Sequence, residues 1–279
     1  MRAPYDPMVM RVAEAEASMV PGRLVLRGPR ALYVGPLQSR THALHAFMVV
    51  VGLDRPFLLR VGGRGGFSET RSAVIRPGTP HALCSGGDGL AVLFVQPETH
   101  GWLAAVRALP AGGVHALSTV EEQRVRSLVD EALYSGTGGG RQDRSAEVDS
   151  LVDAVAEVVL PGLRRGAPVA VLDPRIRDVL RHLWSGADLD LGQLAGACGV
   201  SPSRLTHLFR QEMGTSLRHY RSWVRLRSAL DVLWSRQSLT DLAHSTGFAD
   251  SAHFSRAVRQ MLGSTPSDLR RSMIAVGAR

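Results

Sequence analysis

The sequence predicts an α+β protein, with an antiparallel β-barrel and a helical hairpin first and an all-α region towards the C-terminal end. Three observations carry this prediction. Short apolar runs divided by Gly and Pro turns occupy residues 20–96, apolar residues at helical spacing replace them from Ser118, and a Leu/Ala/Gly pattern occurs twice after residue 190.

The barrel is read from runs over 23–26, 31–34, 43–51, 57–61, 72–75 and 90–95, rich in Val, Leu and Phe. Gly28-Pro29, Gly62-Gly63, Arg76-Pro77-Gly78 and the 86–89 stretch separate them as turns, and no helical pattern intervenes. From Ser118 the period changes. Val120, Val125, Leu128, Val129, Ala132 and Leu133 recur at helical spacing, and after a Gly-rich loop so do Val148, Leu151, Val152, Val155, Val158 and Val159. That predicts a helical hairpin over about 118–160. The Gly, Arg and Pro of residues 162–168 have linker composition, which sets expected domains of 1–166 and 167–279.

Helix starts in the second domain can be named. Asp173-Pro174, Ser201-Pro202 and Thr265-Pro266 place a capping side chain before a first-turn proline, and Asp190 with Gln193 forms a capping box. Leu191-x-x-Leu194-Ala195-x-x-x-Gly199-Val200 then recurs as Leu239-x-x-Leu242-Ala243-x-x-x-Gly247-Phe248. In each copy a short helix ends at a glycine able to take positive φ, turns, and starts a second helix. This predicts two helix-turn-helix units, about 190–213 and 238–262. The second helix of the first unit buries Leu205, Leu208, Phe209 and Met213 and turns Ser203, Thr206, His207 and Arg210 outward; that of the second turns Ala252, Ser255, Arg256 and Arg259 outward. Such side chains reach base edges or phosphates in a major groove, and a stiff helix over about 217–234 would space two of them about 34 Å apart, one DNA turn. A helical bundle with a polar outer face is the plainer alternative for one unit, and two units together weigh against it.

Charge agrees. All 33 basic residues are arginine; residues 173–279 hold 15 of them against 9 acids, whereas residues 1–172 hold 18 against 16. The basic excess lies with the repeat, as a polyanionic partner requires. The missing lysine reads as codon usage rather than mechanism.

The region from Pro174 to Arg271 resembles the AraC/XylS family of bacterial transcription regulators. The resemblance rests on the double repeat, on Ser201-Pro202-Ser203-Arg204-Leu205-x-x-Leu208-Phe209, on Arg227-x-Ala229-x-x-x-Leu233, and on Gly247-Phe248-x-Asp250-x-x-x-Phe254-Ser255-Arg256. It departs at Val258, where Phe is usual, and at Leu269, where an aromatic is common. It implies sequence-specific binding of double-stranded DNA, with Ser203, Thr206, His207, Ala252, Ser255 and Arg256 as base readers and Arg210 and Arg259 on phosphates. It also implies that residues 20–160 form a cupin-like barrel that senses a small-molecule effector, followed by two helices that form a homodimer.

Ile75-Arg76-Pro77-Gly78-Thr79-Pro80-His81 looks like a cupin segment, with His42 and His45 upstream. Cupin metal sites use His-x-His and a glutamate; the spacing His42-x-x-His45 sends the two side chains to opposite faces of a strand, with no acid before Asp54. Neither metal nor other cofactor is expected. Arg40, His42, His45, Arg60 and His81 are the candidate effector-binding residues, with structural histidines and solvent-facing arginines as the plainer reading.

Cys84 and Cys198 lie far apart with no CxxC, and the acids Asp6, Glu14 and Glu16 stand where a signal peptide would be basic, then apolar. The longest apolar run, 43–53, is interrupted by His45 and is short of the roughly 20 residues of a membrane helix. A cytoplasmic protein outside any membrane is expected. No Gly-x-Ser-x-Gly, P-loop, dinucleotide fingerprint or paired carboxylates points to catalysis. The competing readings are a regulator controlled by a protein partner and, more remotely, a metal-dependent cupin enzyme.

Overall fold

The structure, a computed structural model, describes residues 22–27, 30–44, 46–63, 65–96, 113–134, 143–159, 172–186 and 189–276. The described strands are β1 (Gly22–Arg27), β2 (Arg30–Gly35), β3 (Phe47–Gly52), β4 (Phe57–Val61), β5 (Ser68–Thr70), β6 (Ser72–Ile75), β7 (His81–Cys84), β8 (Leu90–Val95), β9 (Val114–His115) and β10 (Met273–Val276). The helices are α1 (Thr119–Tyr134), α2 (Asp143–Val159), α3 (Pro174–Trp184), α4 (Leu191–Ala197), α5 (Pro202–Met213), α6 (Leu217–Val232), α7 (Leu239–Ser245), α8 (Ser251–Leu262) and α9 (Pro266–Ser272). The expected α+β class holds, with strands first and helices after.

One sheet runs β10-β1-β2-β8-β3-β6-β9 and a second β5-β4-β7. Period-two alternation sorts the large sheet into two faces. Leu24, Tyr33, Val92, Val50 and Ala73 lie opposite one another across five strands. They share a core with Phe57, Leu59 and Leu83 of the small sheet. The adjacent row, Val25, Leu32, Leu93, Val49 and Val74, faces the other way and packs under Val125 and Val129 of α1 and Leu151, Val152 and Val155 of α2. Both faces of β3 are therefore covered, which is why it reads as an unbroken apolar run. Arg30 pairs with Asp153 and the Ser72 hydroxyl donates to Glu122 at 2.5 Å, fastening the hairpin to its own sheet.

The strand expected over 43–51 starts later, at Phe47. His42 forms an isolated antiparallel bridge with His81 beside the small sheet, and the chain enters the large sheet only at Phe47. The second unexpected element is β10, which follows the last helix and pairs parallel with β1, Gly22 opposite Met273. The helical region is thus tied back to the edge of the barrel by main-chain bonds.

Candidate functional site

The two helical repeats adopt the same local geometry for the same reasons. Gly199 and Gly247 take φ of 64° and 79°. The amides of Val200 and Phe248 then reach back to the carbonyls of Ala195 and Ala243 at 3.0 and 2.9 Å, closing the first helix of each unit. Ala195 and Ala243 are fully buried, as a close crossing of α4 on α5 and of α7 on α8 requires. Ser201 caps α5 by accepting from Arg204 N at 3.2 Å, and Asp250 caps α8 by accepting from His253 N at 2.6 Å. That amide bond is the main cause holding the Asp250 carboxyl below the usual range.

On α5, Leu205, Leu208, Phe209 and Met213 are buried, and Ser203, Thr206, His207 and Arg210 are exposed together on the opposite face. Thr206 donates its hydroxyl to the Pro202 carbonyl at 2.9 Å, leaving its oxygen free to accept. On α8, Phe254, Val258 and Met261 are buried, Ala252, Arg256 and Arg259 are exposed, and Ser255 is half-buried. All eight residues read as DNA-contacting therefore lie off the core, on the two second helices.

Helix α6 joins the units and buries Tyr220, Val224, Ala229 and Leu230. It also buries two residues whose polar ends need partners. Trp223 is 4% exposed with no hydrogen-bond partner for Nε1, and Arg227 is 6% exposed, 3.5 Å from the Asp231 carboxylate. Both line a cavity of about 730 Å³. Its other wall is the barrel's inner face, with Leu24, Tyr33 and Phe94, and its rim includes Arg40, Arg259 and Gly263. Gln96, on the barrel side, is 2% exposed and its Oε1 has no partner. The barrel interior thus opens towards the second helix-turn-helix unit rather than closing on itself.

The candidate effector residues separate in space. Arg40 and His42 line the cavity. His81 lies behind His42, ring centroids 4.3 Å apart, and does not line it. Arg60 sits elsewhere, donating to the Thr41 hydroxyl at 2.9 Å and stacking 4.8 Å over the Phe67 ring. His45 lies outside the described residues. Burial, and secondarily the neighbouring His81, push the His42 imidazole down to about 4; burial also lowers His81. Sequence reading missed Trp223, Arg227 and Gln96. The available signal was the spacing Trp223, Arg227, Leu230, Trp234, a cation inside an otherwise apolar helical stripe.

A model of a helix-turn-helix domain matches residues 194–272, the span of both units. The arabinose operon regulatory protein of Escherichia coli is 25% identical over 182 residues, 61% of this chain and 59% of its own. The regulator GlxA of Rhizobium meliloti is 36% identical over 124 residues, 42% of this chain and 38% of its own. Residues 194–272 thus carry a helix-turn-helix domain similar to those of AraC/XylS-type regulators. The chain spans about three-fifths of the length of the arabinose regulators it matches. Its fold is similar to that of apo ToxT from Vibrio cholerae, with a TM-score of 0.56 over 89% of this chain and 99% of that one, at 10% identity. ToxT with an unsaturated fatty acid bound gives a TM-score of 0.53 at 11% identity. Among the described residues, no helix is long and apolar enough to cross a membrane.

Proposed function

We propose that this chain is a cytoplasmic, sequence-specific DNA-binding transcriptional regulator that responds to a small molecule held between its barrel and its second helix-turn-helix unit. The DNA reading is carried by the outward faces of α5 and α8, two polar, basic helices presented by matching turns. Ser203, Thr206, His207, Ala252, Ser255 and Arg256 would read bases, with Arg210 and Arg259 on phosphates.

The effector reading is carried by the cavity. An apolar body would lie on Leu24, Tyr33 and Phe94, and an acceptor group, a carboxylate foremost, would take the unpaired Trp223 N–H beside the Arg227 guanidinium. The fatty acid held by ToxT, similar in fold, supports that class. Arg259 and Gly263 line the same space, so filling it changes how α8 is held and shifts the balance between docked and undocked units. A barrel controlled only by a protein partner needs no such cavity, so the small-molecule reading is preferred.

A homodimer belongs to the proposal as the family resemblance implies it. The α2 stripe expected to mediate it is covered by the chain's own sheet.

Selection of duplexes from a random library, followed by titration at several salt concentrations, tests the DNA reading; failure to enrich any sequence at low salt overturns it. Calorimetric titration with oleate tests the effector reading. Stoichiometric binding weakened by Trp223→Phe supports it, and no binding of oleate or of shorter apolar carboxylates turns the search to protein partners.

A further inference from the structure

His42 and His81 are joined by two main-chain bonds, His42 N to His81 O at 2.9 Å and His81 N to His42 O at 2.8 Å, which bring their rings side by side. Each ring sets its tautomer in the same way. Nδ1–H donates to a carbonyl two residues earlier, Arg40 at 2.9 Å and Thr79 at 2.8 Å. A carbonyl only accepts, so the neutral ring carries its proton on Nδ1 and keeps a lone pair on Nε2. Burial favours the neutral ring in both.

The His81 Nε2 lone pair faces the thioether of Met48, with Nε2 and Sδ 3.1 Å apart and both residues 1% exposed. Neither atom has a hydrogen to offer the other. Two electron pairs facing each other away from water attract only when a cation sits beside them. The surroundings fit one: a carbonyl on each Nδ1–H is the outer shell that orients metal-binding histidines. Imidazole with thioether is a soft donor set that selects Cu(I) over the hard divalent cations. Among the described residues no group of three His, Cys, Asp or Glu could hold a metal, so the Met48 thioether is the donor that distinguishes this place.

We propose that His42, His81 and Met48 form a binding site for a soft monovalent cation, Cu(I), at the inner rim of the barrel. This departs from the sequence expectation of no metal, because a thioether is no part of the cupin pattern and nothing in the sequence brings Met48 to His81, 33 residues on. Entry is through the cavity, which Met48 and His42 both line. The site also bears on α8. A Cβ on Gly263 would stand 2.7 Å from His42 Nδ1, so a cation that fixes the His42 ring fixes the surface on which the helix cap rests.

The test is an anaerobic titration of the full chain with Cu(I) in competition with bicinchoninate, together with X-ray absorption at the copper edge. One Cu(I) per chain is expected, with nitrogen and sulfur in its first shell, and binding should persist in the Cys84→Ser/Cys198→Ser double variant. Met48→Leu conserves volume and folding, and should weaken binding at least about tenfold, as should His81→Gln. Binding that disappears with the cysteines, or that ignores Met48→Leu, overturns the proposal, as does failure to compete with bicinchoninate. Oleate affinity and its response to Trp223→Phe report separately on the effector reading.

Discussion

The amide of Arg40 donates to the carbonyl of Gly263 at 3.0 Å, a main-chain bond that joins the barrel rim to the C-terminal cap of α8. Side-chain contacts between domains can slide, but two backbones at this distance have one register. The approach is possible because residue 263 has no side chain: a Cβ there would meet the Arg40 carbonyl oxygen at 2.6 Å and the Ser39 Cβ at 3.0 Å. Gly263 therefore answers two demands, the left-handed cap with φ of 68° and the close passage of the barrel.

These two demands can be separated by comparison with Gly214, which caps α5 at the same φ of 68° and faces open space. Gly214→Ala meets only the left-handed strain and should lower stability by about 1 kcal/mol. Gly263→Ala adds the clash with Arg40 and His42, about 1 to 3 kcal/mol more, and should undock the helical region from the barrel. Chemical denaturation gives the difference and limited proteolysis between the domains reports undocking. Equal losses for the two variants would remove the Arg40 contact as a determinant of domain position.

How much of this was legible depends on how local the cause is. The repeat, its glycines and the caps at Asp173, Asp190 and Ser201 were readable because each is a bond within four residues, and the structure places all three side chains as caps. The outer row of β3 and the α2 stripe were readable as apolar patterns, but not that each covers the other. The bridge between His42 and His81, the pairing of β10 with β1 and the meeting of Arg40 with Gly263 join segments from 39 to more than 200 residues apart and leave no period in the sequence. Arg227 is legible only as part of the motif Arg227-x-Ala229-x-x-x-Leu233; its burial follows from the barrel lying against that helix.

Acid should destabilise the metal-stripped protein from an unusually high pH. His42 titrates near 4 when folded against 6.5 ordinarily, and His81 is displaced in the same direction. Between those values the unfolded chain binds protons that the folded chain does not, so stability rises with pH across the window and levels off above it. Denaturation midpoints at half-unit steps from pH 4.5 to 7.5 should show that slope, and His42→Gln should flatten it. An unchanged slope in the variant would place its origin in other groups.

Val152 tests what α2 is for. It is fully buried among Leu32, Val49 and Leu93 of the sheet, within the one chain. Val152→Ala should therefore cost about 1 to 3 kcal/mol at every protein concentration and leave the mass in solution unchanged. A loss of stability that grows on dilution, with a fall in mass by sedimentation, would instead assign the stripe to an interface between copies.

Arg256 and Arg259 lie one helical turn apart on α8 and should fail in different ways. Arg256 follows the capped first turn of α8 and is exposed away from the cavity lining, which suits the base-reading role proposed for it. Arg256→Ala should cost about 1 to 3 kcal/mol on the selected duplex, relax preference at one base pair, and change scrambled duplexes little. Arg259 is also exposed but borders the cavity. Arg259→Ala should weaken all duplexes alike and reduce the salt slope by about one phosphate contact, and alone of the two it should alter oleate affinity. Titrations of both variants on matched and scrambled duplexes, with and without oleate, check this. Equal losses on the two duplexes for Arg256→Ala would remove it as a base reader, and an oleate affinity indifferent to Arg259→Ala would detach the cavity from the DNA-facing helix.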